Sequence, residues 1–227
     1  MKDLIIANIA TIPQRTACLE KAISTIIDQV DLLNISLDSY NSIPSSLQGH
    51  PKIYCSLDTK HRYAERGKFF WVNQVAGYYF TVDDDILYPT DYVTKMIEAI
   101  ERYDRKAIIT VHGNNIKHPF INYYKSMEPV LFRSELRQDT SVDFPGTGTM
   151  AFHTDTMKFS IKDFELPYMS DLWLGLLAKQ NKVPVIAIQR DRGWLTPMFV
   201  PGIYEQGLKD PLLRKQQVDL IRRFIAA

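Results

Sequence analysis

The chain has 227 residues, 45% hydrophobic and 23% charged, with a formal net charge of +1. That length supports one substantial domain with its own core, and the composition excludes a largely disordered chain. A near-neutral balance gives no global attraction to nucleic acid, and two cysteines without metal-type spacing, Cys18 and Cys55, argue against a disulfide framework. There is no signal-peptide pattern, and no apolar run nears the ~20 residues that span a bilayer. A cytoplasmic location is expected, with contact at the inner membrane face left open.

In "DLIIANIATIPQR", Leu4 to Ile9 is rich in β-branched residues and Pro13 ends the run, which predicts a strand and a loop. Leu19, Ala22, Ile23, Ile26, Ile27 and Val30 then recur at helical spacing. "LLNISLD" reads as a second strand ending near Asp38, and "KIYCSL" as a third after a polar loop. Strand, helix, strand, loop, strand predicts an α/β unit with a parallel sheet. "ERGKFFWVNQV" reads as a short helix, and "GYYFTV" as a fourth strand running into Asp83, Asp84 and Asp85.

"PTDYVTKMIEAIERY" is a helix with Val93, Met96, Ile97 and Ile100 on one face and Thr90 or Asp91 as cap. "KAIITVHG" is a fifth strand, residues 114–145 read as loop, and "GTGTMAFHT" is a strand entered through two glycines. "SDLWLGLLAKQNK" is a helix and "VPVIAIQ" a last strand, after which "QRDRGWLTPM" reads as a loop able to close over a ligand. Pro211 opens a terminal helix. That helix sets Leu213, Leu220, Ile221 and Phe224 against Arg214, Lys215, Arg222 and Arg223. Two uses fit it: packing on the domain with a solvated basic face, or docking on an anionic bilayer.

The aspartate run carries the chemistry. Three adjacent carboxylates repel one another. At the carboxyl end of a strand, where open α/β sheets bind ligands, a hard divalent cation would offset that cost. A solvated strand end before Pro89 is the plain alternative. A calcium loop starting at Asp83 fails, because its glycine and glutamate positions hold Tyr88 and Thr94. A haloacid-dehalogenase-type reading fails because Ile86 and Leu87 follow the run, on a middle strand.

Four ordered blocks carry a family resemblance: "ATIPQRTACLEKAISTIIDQVDLLNISLDSYNSIP", "GKFFWVNQVAGYYFTVDDDILYPTDYV", "GTGTMAFHT" and "MSDLWLGLLAKQNKVPVIAI". Together they resemble the GT-A fold glycosyltransferases, specifically the bacterial family 2-like enzymes associated with capsule or lipopolysaccharide assembly. The resemblance implies a single GT-A (Rossmann-like) domain with a mostly parallel mixed central sheet flanked by helices. About 1–105 would bind the nucleotide-sugar and about 106–200 the acceptor, with 201–227 a tail and helix. It implies a metal-dependent transfer of sugar from a nucleoside-diphosphate donor, a UDP-sugar first, to a saccharide or lipid-linked acceptor.

The resemblance also implies roles. Thr11, Pro13 and Arg15 would cradle the nucleotide, Asp38 would meet the base, and Lys68 would meet diphosphate or orient an aspartate. Asp83 and Asp84 would contact the nucleotide-sugar, while Asp83 and Asp85 would hold Mn²⁺ or Mg²⁺. No histidine follows His153, so His153 is the candidate for a late third metal ligand; His112 also follows a strand. Asp171 would be the catalytic base, and a helix cap is its competing role. Sugar-nucleotide-synthesising nucleotidyltransferases are the rival enzyme class, but they need a glycine-rich phosphate loop and "TIPQRT" has no glycine. A non-catalytic nucleotide- or carbohydrate-binding module is the other rival.

Overall fold

The computed structural model describes residues 3–198 and 210–227. Four strands form the first half: β1 (Leu4–Thr11), β2 (Leu32–Asp38), β3 (Ile53–Asp58) and β4 (Gly77–Val82). All pair in parallel, in the order β3-β2-β1-β4. Helix α1 (Thr16–Ile26) connects β1 to β2. After a short β5 (Ile86–Leu87) comes helix α2 (Tyr92–Arg102).

The second half extends the sheet in mixed fashion. It comprises β6 (Ile108–Thr110), β7 (Gly113–Ile116), helix α3 (Tyr123–Ser126), β8 (Met127–Val130), β9 (Thr140–Ser141), β10 (Phe144–Pro145) and β11 (Thr149–His153). Helix α4 (Ser170–Gln180), β12 (Val185–Ala187), β13 (Thr196–Pro197) and helix α5 (Pro211–Ala226) follow. The full eight-stranded order is β3-β2-β1-β4-β11-β6-β12-β9. β11 lies antiparallel between β4 and β6. This is the predicted α/β architecture, a mostly parallel mixed sheet flanked by helices, of the Rossmann-like kind.

Both sheet faces are covered, which explains why β4 is apolar without alternation. Tyr78, Phe80 and Val82 pack with α1 and α2 residues such as Ile23, Met96 and Ile100. Tyr79 points the other way, into a cluster with Phe152, Trp173, Leu220 and Phe224. Gly77 opens the strand at φ +127, where a Cβ would lie 2.2 Å from the Leu4 carbonyl oxygen. Only glycine lets β4 start against β1.

Two expectations change. Residues 114–145 are not all loop: β7, β8 and β10 form a small antiparallel sheet in the order β10-β7-β8. Asp91 stands at the N-cap of α2 without capping it. Its carboxylate instead accepts from Trp194 Nε1 at 2.8 Å and pairs with Lys95. The packing expected of α5 is present: Leu220, Ile221 and Phe224 are buried against the domain, while Leu212 and Ile225 are exposed. Of the expected 201–227 tail, residues 201–209 lie outside the described residues. Among those described, no helix is long and apolar enough to cross a membrane.

Candidate active site

The parallel strands bring their carboxyl ends to one edge, and most of the sequence-selected residues meet there. Thr11 closes β1, Asp38 closes β2, and the aspartates follow β4. Asp84 is 3% exposed and accepts from Thr11 Oγ1 at 2.6 Å and Arg15 Nη1 at 2.7 Å. The same Arg15 nitrogen reaches Asp85 at 3.1 Å. The ammonium of buried Lys68, on the 3-10 turn Ala64–Phe69, pairs with Asp83. The repulsion that the run creates is thus partly offset by the chain's own cations.

Burial pushes Asp84 and Asp85 above the usual carboxylate range. For Asp84, Thr11 and Arg15 pull part of the shift back. Asp85, next to Asp83, reaches about 6. Burial works against charge on Lys68 too, but Asp83 together with Asp171 and Asp84 holds the ammonium protonated.

Asp83 is fixed from two more sides. Its backbone N–H donates to the Tyr88 hydroxyl at 2.7 Å, and that hydroxyl donates to the Gly148 carbonyl at 2.6 Å. Its carboxylate lies against Gly148, where a Cβ would sit 1.9 Å from Oδ2. Tyr88→Phe leaves a buried N–H and C=O unpaired, which costs about 1–3 kcal/mol. A lowered melting temperature with reduced activity is the expected outcome; unchanged melting would exclude the bridge as a support.

Two cavities meet at Asp83. The first, about 200 Å³, runs along Thr11, Arg15, Asp38, Glu65, Lys68 and Asp84. At its rim, His61 Nδ1 pairs with Asp38 at 2.6 Å and Nε2 contacts the Tyr168 hydroxyl at 2.6 Å. The rim is strained: Ser39, His61, Ala64 and Tyr168 all have positive φ, from 50 to 63°. Such strain concentrates at binding sites.

The second cavity, about 270 Å³, is lined by His112, Gly146, Thr147, Gly148, Asp171 and Asp83 itself. Asp171, in the first turn of α4, accepts from Thr147 N at 2.9 Å and Thr147 Oγ1 at 2.7 Å. Burial raises its pKa, against the pull of Thr147 and of nearby His112. Burial lowers His112, against the pull of Asp171. A larger groove of about 360 Å³ lies away from the aspartates, around Arg102, Asp139 and Arg190. There Arg102 pairs with Asp139, and buried Arg190 donates to the Ile188 and Leu131 carbonyls. The loop after β12 therefore spends Arg190 on its own backbone.

Two expected site residues fall elsewhere. Pro13 is exposed, starts a 3-10 turn, and does not line the cavity. His153 pairs in register with Tyr78, at the opposite end of β4 from the aspartates, and contacts Arg105 and Asp3. It is no ligand partner for Asp85. His112 is the histidine brought to the site. Sequence reading missed His61, Glu65, Thr147 and Tyr168; only their places after strands or before the acidic helix hinted at them.

Among the described residues, no group of three or more His, Cys, Asp or Glu is arranged to hold a metal ion. Asp84 is committed to Thr11 and Arg15. Asp83 and Asp85 are paired too, with Lys68 and Arg15, but their side chains are 38% and 25% exposed against 4% for Asp84, so they are the hard oxygen donors within reach of a ligand. Two carboxylates suit Mg²⁺ or Mn²⁺ when substrate phosphate and water complete the coordination.

No family model and no curated protein matches the chain. Among solved structures, the fold is similar to that of a nucleotidyl transferase from Methanothermobacter thermautotroptrophicus, at 11% identity and TM-score 0.54 over 84% of this chain and 89% of that one. What is shared is the fold. CMP:2-keto-3-deoxy-manno-octonic acid synthetase complexed with CTP is more distant, at 10% identity and TM-score 0.46 over 84% and 94% of the two chains. The resemblance to family 2-like glycosyltransferases thus has no counterpart among family models.

Proposed function

We propose that this protein is a transferase that holds a nucleoside-diphosphate sugar in the first cavity and passes the sugar to a hydroxyl in the second. The observation that carries this reading is the shared wall: Asp83 lines both cavities, with Asp171 beyond it. In this reading Asp171 takes the proton of an acceptor hydroxyl as that hydroxyl's oxygen bonds to the anomeric carbon. The bond from that carbon to the diphosphate breaks, and the nucleoside diphosphate leaves with the electron pair. Lys68 and Arg15 supply positive charge beside the phosphates. When bound at Asp83 and Asp85, Mn²⁺ or Mg²⁺ supplies further neutralisation of the leaving group. A UDP-sugar donor and a saccharide or lipid-linked acceptor are the substrates we assign.

The fold likeness stands nearer to a second reading, nucleotidyl transfer in sugar-nucleotide synthesis. That reaction also needs only a nucleotide cavity and a neighbouring sugar cavity. The segment after β1 favours glycosyl transfer, because it has no glycine and turns at once into a 3-10 helix at Pro13–Arg15.

A melting screen of nucleotides and nucleotide-sugars with and without Mn²⁺ tests the site, followed by product analysis. Saturation at a hundredfold excess over Kd stabilises by about 2.7 kcal/mol. The expected result is a shift with UDP or a UDP-sugar plus Mn²⁺, release of UDP on turnover, and loss of both in Asp85→Ala. Pyrophosphate release from a nucleoside triphosphate and a sugar phosphate would instead establish the second reading. No shift with any nucleotide would sink both.

A further inference from the structure

His112 follows β6 and lines the second cavity beside Asp83 and Asp171, with no part so far in the transfer. Its place is tightly fixed. The His112 carbonyl accepts from Gly146 N at 2.7 Å and Thr110 Oγ1 at 2.6 Å, and its N–H donates to Thr149 Oγ1 at 3.0 Å. The ring lies against Gly146, where a Cβ would meet Cδ2 at 2.7 Å, and packs edge-on with Phe132. Thr147 in the same segment holds Asp171, and Gly148 abuts the Asp83 carboxylate. Residues 146–149 thus set His112, Asp171 and Asp83 around one space.

The two ring nitrogens differ. Nδ1 is enclosed and has no hydrogen-bond partner, so a proton there would be a buried donor without an acceptor. Nε2 is not enclosed and makes no hydrogen bond among the described residues. A proton on Nε2 faces a cavity walled by the Asp83 and Asp171 carboxylates, and their field favours it there. An imidazolium would need both protons and would strand the one on Nδ1. Burial, with Arg190 and Arg133, also keeps the ring uncharged, against the pull of Asp171 and Asp83. His112 is therefore a neutral donor and not a base. Opposite it, Asp171 spends Oδ1 on Thr147. Asp171 and His112 feel each other's field, yet no hydrogen bond joins them across the cavity they share.

The geometry points to His112 as the donor that holds the attacking hydroxyl: the hydroxyl oxygen accepts from Nε2–H while its own proton is directed at Asp171. The inference rests on the transferase reading of the second cavity. As the oxygen bonds to the anomeric carbon, its proton goes to Asp171 and the Nε2 proton stays on the ring. A hydroxyl both donates and accepts, so it fits between a ring N–H and a carboxylate. An ether oxygen, which cannot donate, does not.

Imidazole nitrogen NMR of the full chain tests the tautomer, with the His112 signals assigned by their absence from His112→Gln. The expected result at neutral pH is an uncharged ring protonated on Nε2; a proton on Nδ1 alone, or a charged ring, overturns the proposal. Turnover tests the role. Water can take the hydroxyl's place, so UDP release from UDP-glucose, UDP-galactose and UDP-N-acetylglucosamine reads the same pair of groups without an acceptor. His112→Met and His112→Gln both replace the ring with an unbranched side chain of similar length, but only glutamine ends in an N–H. His112→Met is expected to lower kcat about tenfold at unchanged KM, and His112→Gln to recover most of that loss. Equal rates in the two variants overturn the proposal and leave the transferase reading standing. UDP release from none of the three sugars by wild type overturns that reading, and the proposal with it.

Discussion

Asp171→Asn is expected to lower turnover by about 10²–10⁴-fold and, at neutral pH, to raise the melting temperature. Both effects come from one carboxyl. Its Oδ1 accepts from Thr147 N and Thr147 Oγ1, and an asparagine carbonyl can keep both bonds. What the variant loses is the ability to take a proton. What it gains is relief from holding a charge in a desolvated place. The carboxyl titrates near ~3.9 when unfolded and higher in the fold, where burial dominates.

Below the unfolded value both states are protonated and the carboxyl costs nothing. As pH rises through the window up to the folded value, the unfolded chain releases its proton more readily, so stability falls. Above the folded value the full loss is in place. Wild type and variant should therefore melt most alike near pH 4 and diverge toward pH 8, with the variant higher. The kcat/KM profile of wild type should carry an acid limb above the ordinary carboxylate range, absent from the variant's residual rate. Equal melting at both pH values would mean that Asp171 is not desolvated.

Gly148→Ala is expected to abolish most activity through a group that does no chemistry. The added Cβ would lie 1.9 Å from Asp83 Oδ2 and 2.3 Å from its Cγ, so the carboxylate must move. Moving it takes it off Lys68, whose side chain is only 5% exposed. Breaking a fully buried pair costs about 3–5 kcal/mol, and the 38% exposure of the Asp83 side chain puts this one at the low end. A displacement of about 1 Å in a site residue costs on the order of 10²-fold in rate. Because the damage runs through Asp83, combining Gly148→Ala with Asp83→Ala should cost no more activity than Asp83→Ala alone. Additive losses would show that Gly148 acts on something else.

The strands and helices of the first half were legible because burial on both faces writes an apolar run and helix burial writes a period of 3.6. Their carboxyl ends bring Thr11, Asp38 and the aspartates to one edge of the sheet. His153 went wrong for a specific reason. The run Thr149–His153 has the composition of a strand but nothing that states its direction. Since β11 runs antiparallel to β4, its beginning, not its end, meets the aspartates, so Gly148 and Thr149 are there and His153 is not. The β7, β8 and β10 sheet was invisible because its strands are short and carry Asn114, Asn115, Pro129 and Pro145. The pairing of His61 with Tyr168 joins residues far apart in sequence, and no local pattern encodes it.

The antiparallel insertion of β11 also has a consequence for a chain still being made. β4 gains β1 as a neighbour early, but its other edge stays open until Thr149–His153 has been synthesised and has docked. During that interval "GYYFTV" is an apolar, aromatic strand with unpaired backbone groups, the kind of edge that recruits other copies. Three negative charges directly at its end repel a second nascent strand laid in register beside it, as gatekeeper residues do. Asp83 to Asp85 would thus guard the folding of the sheet before they serve its chemistry.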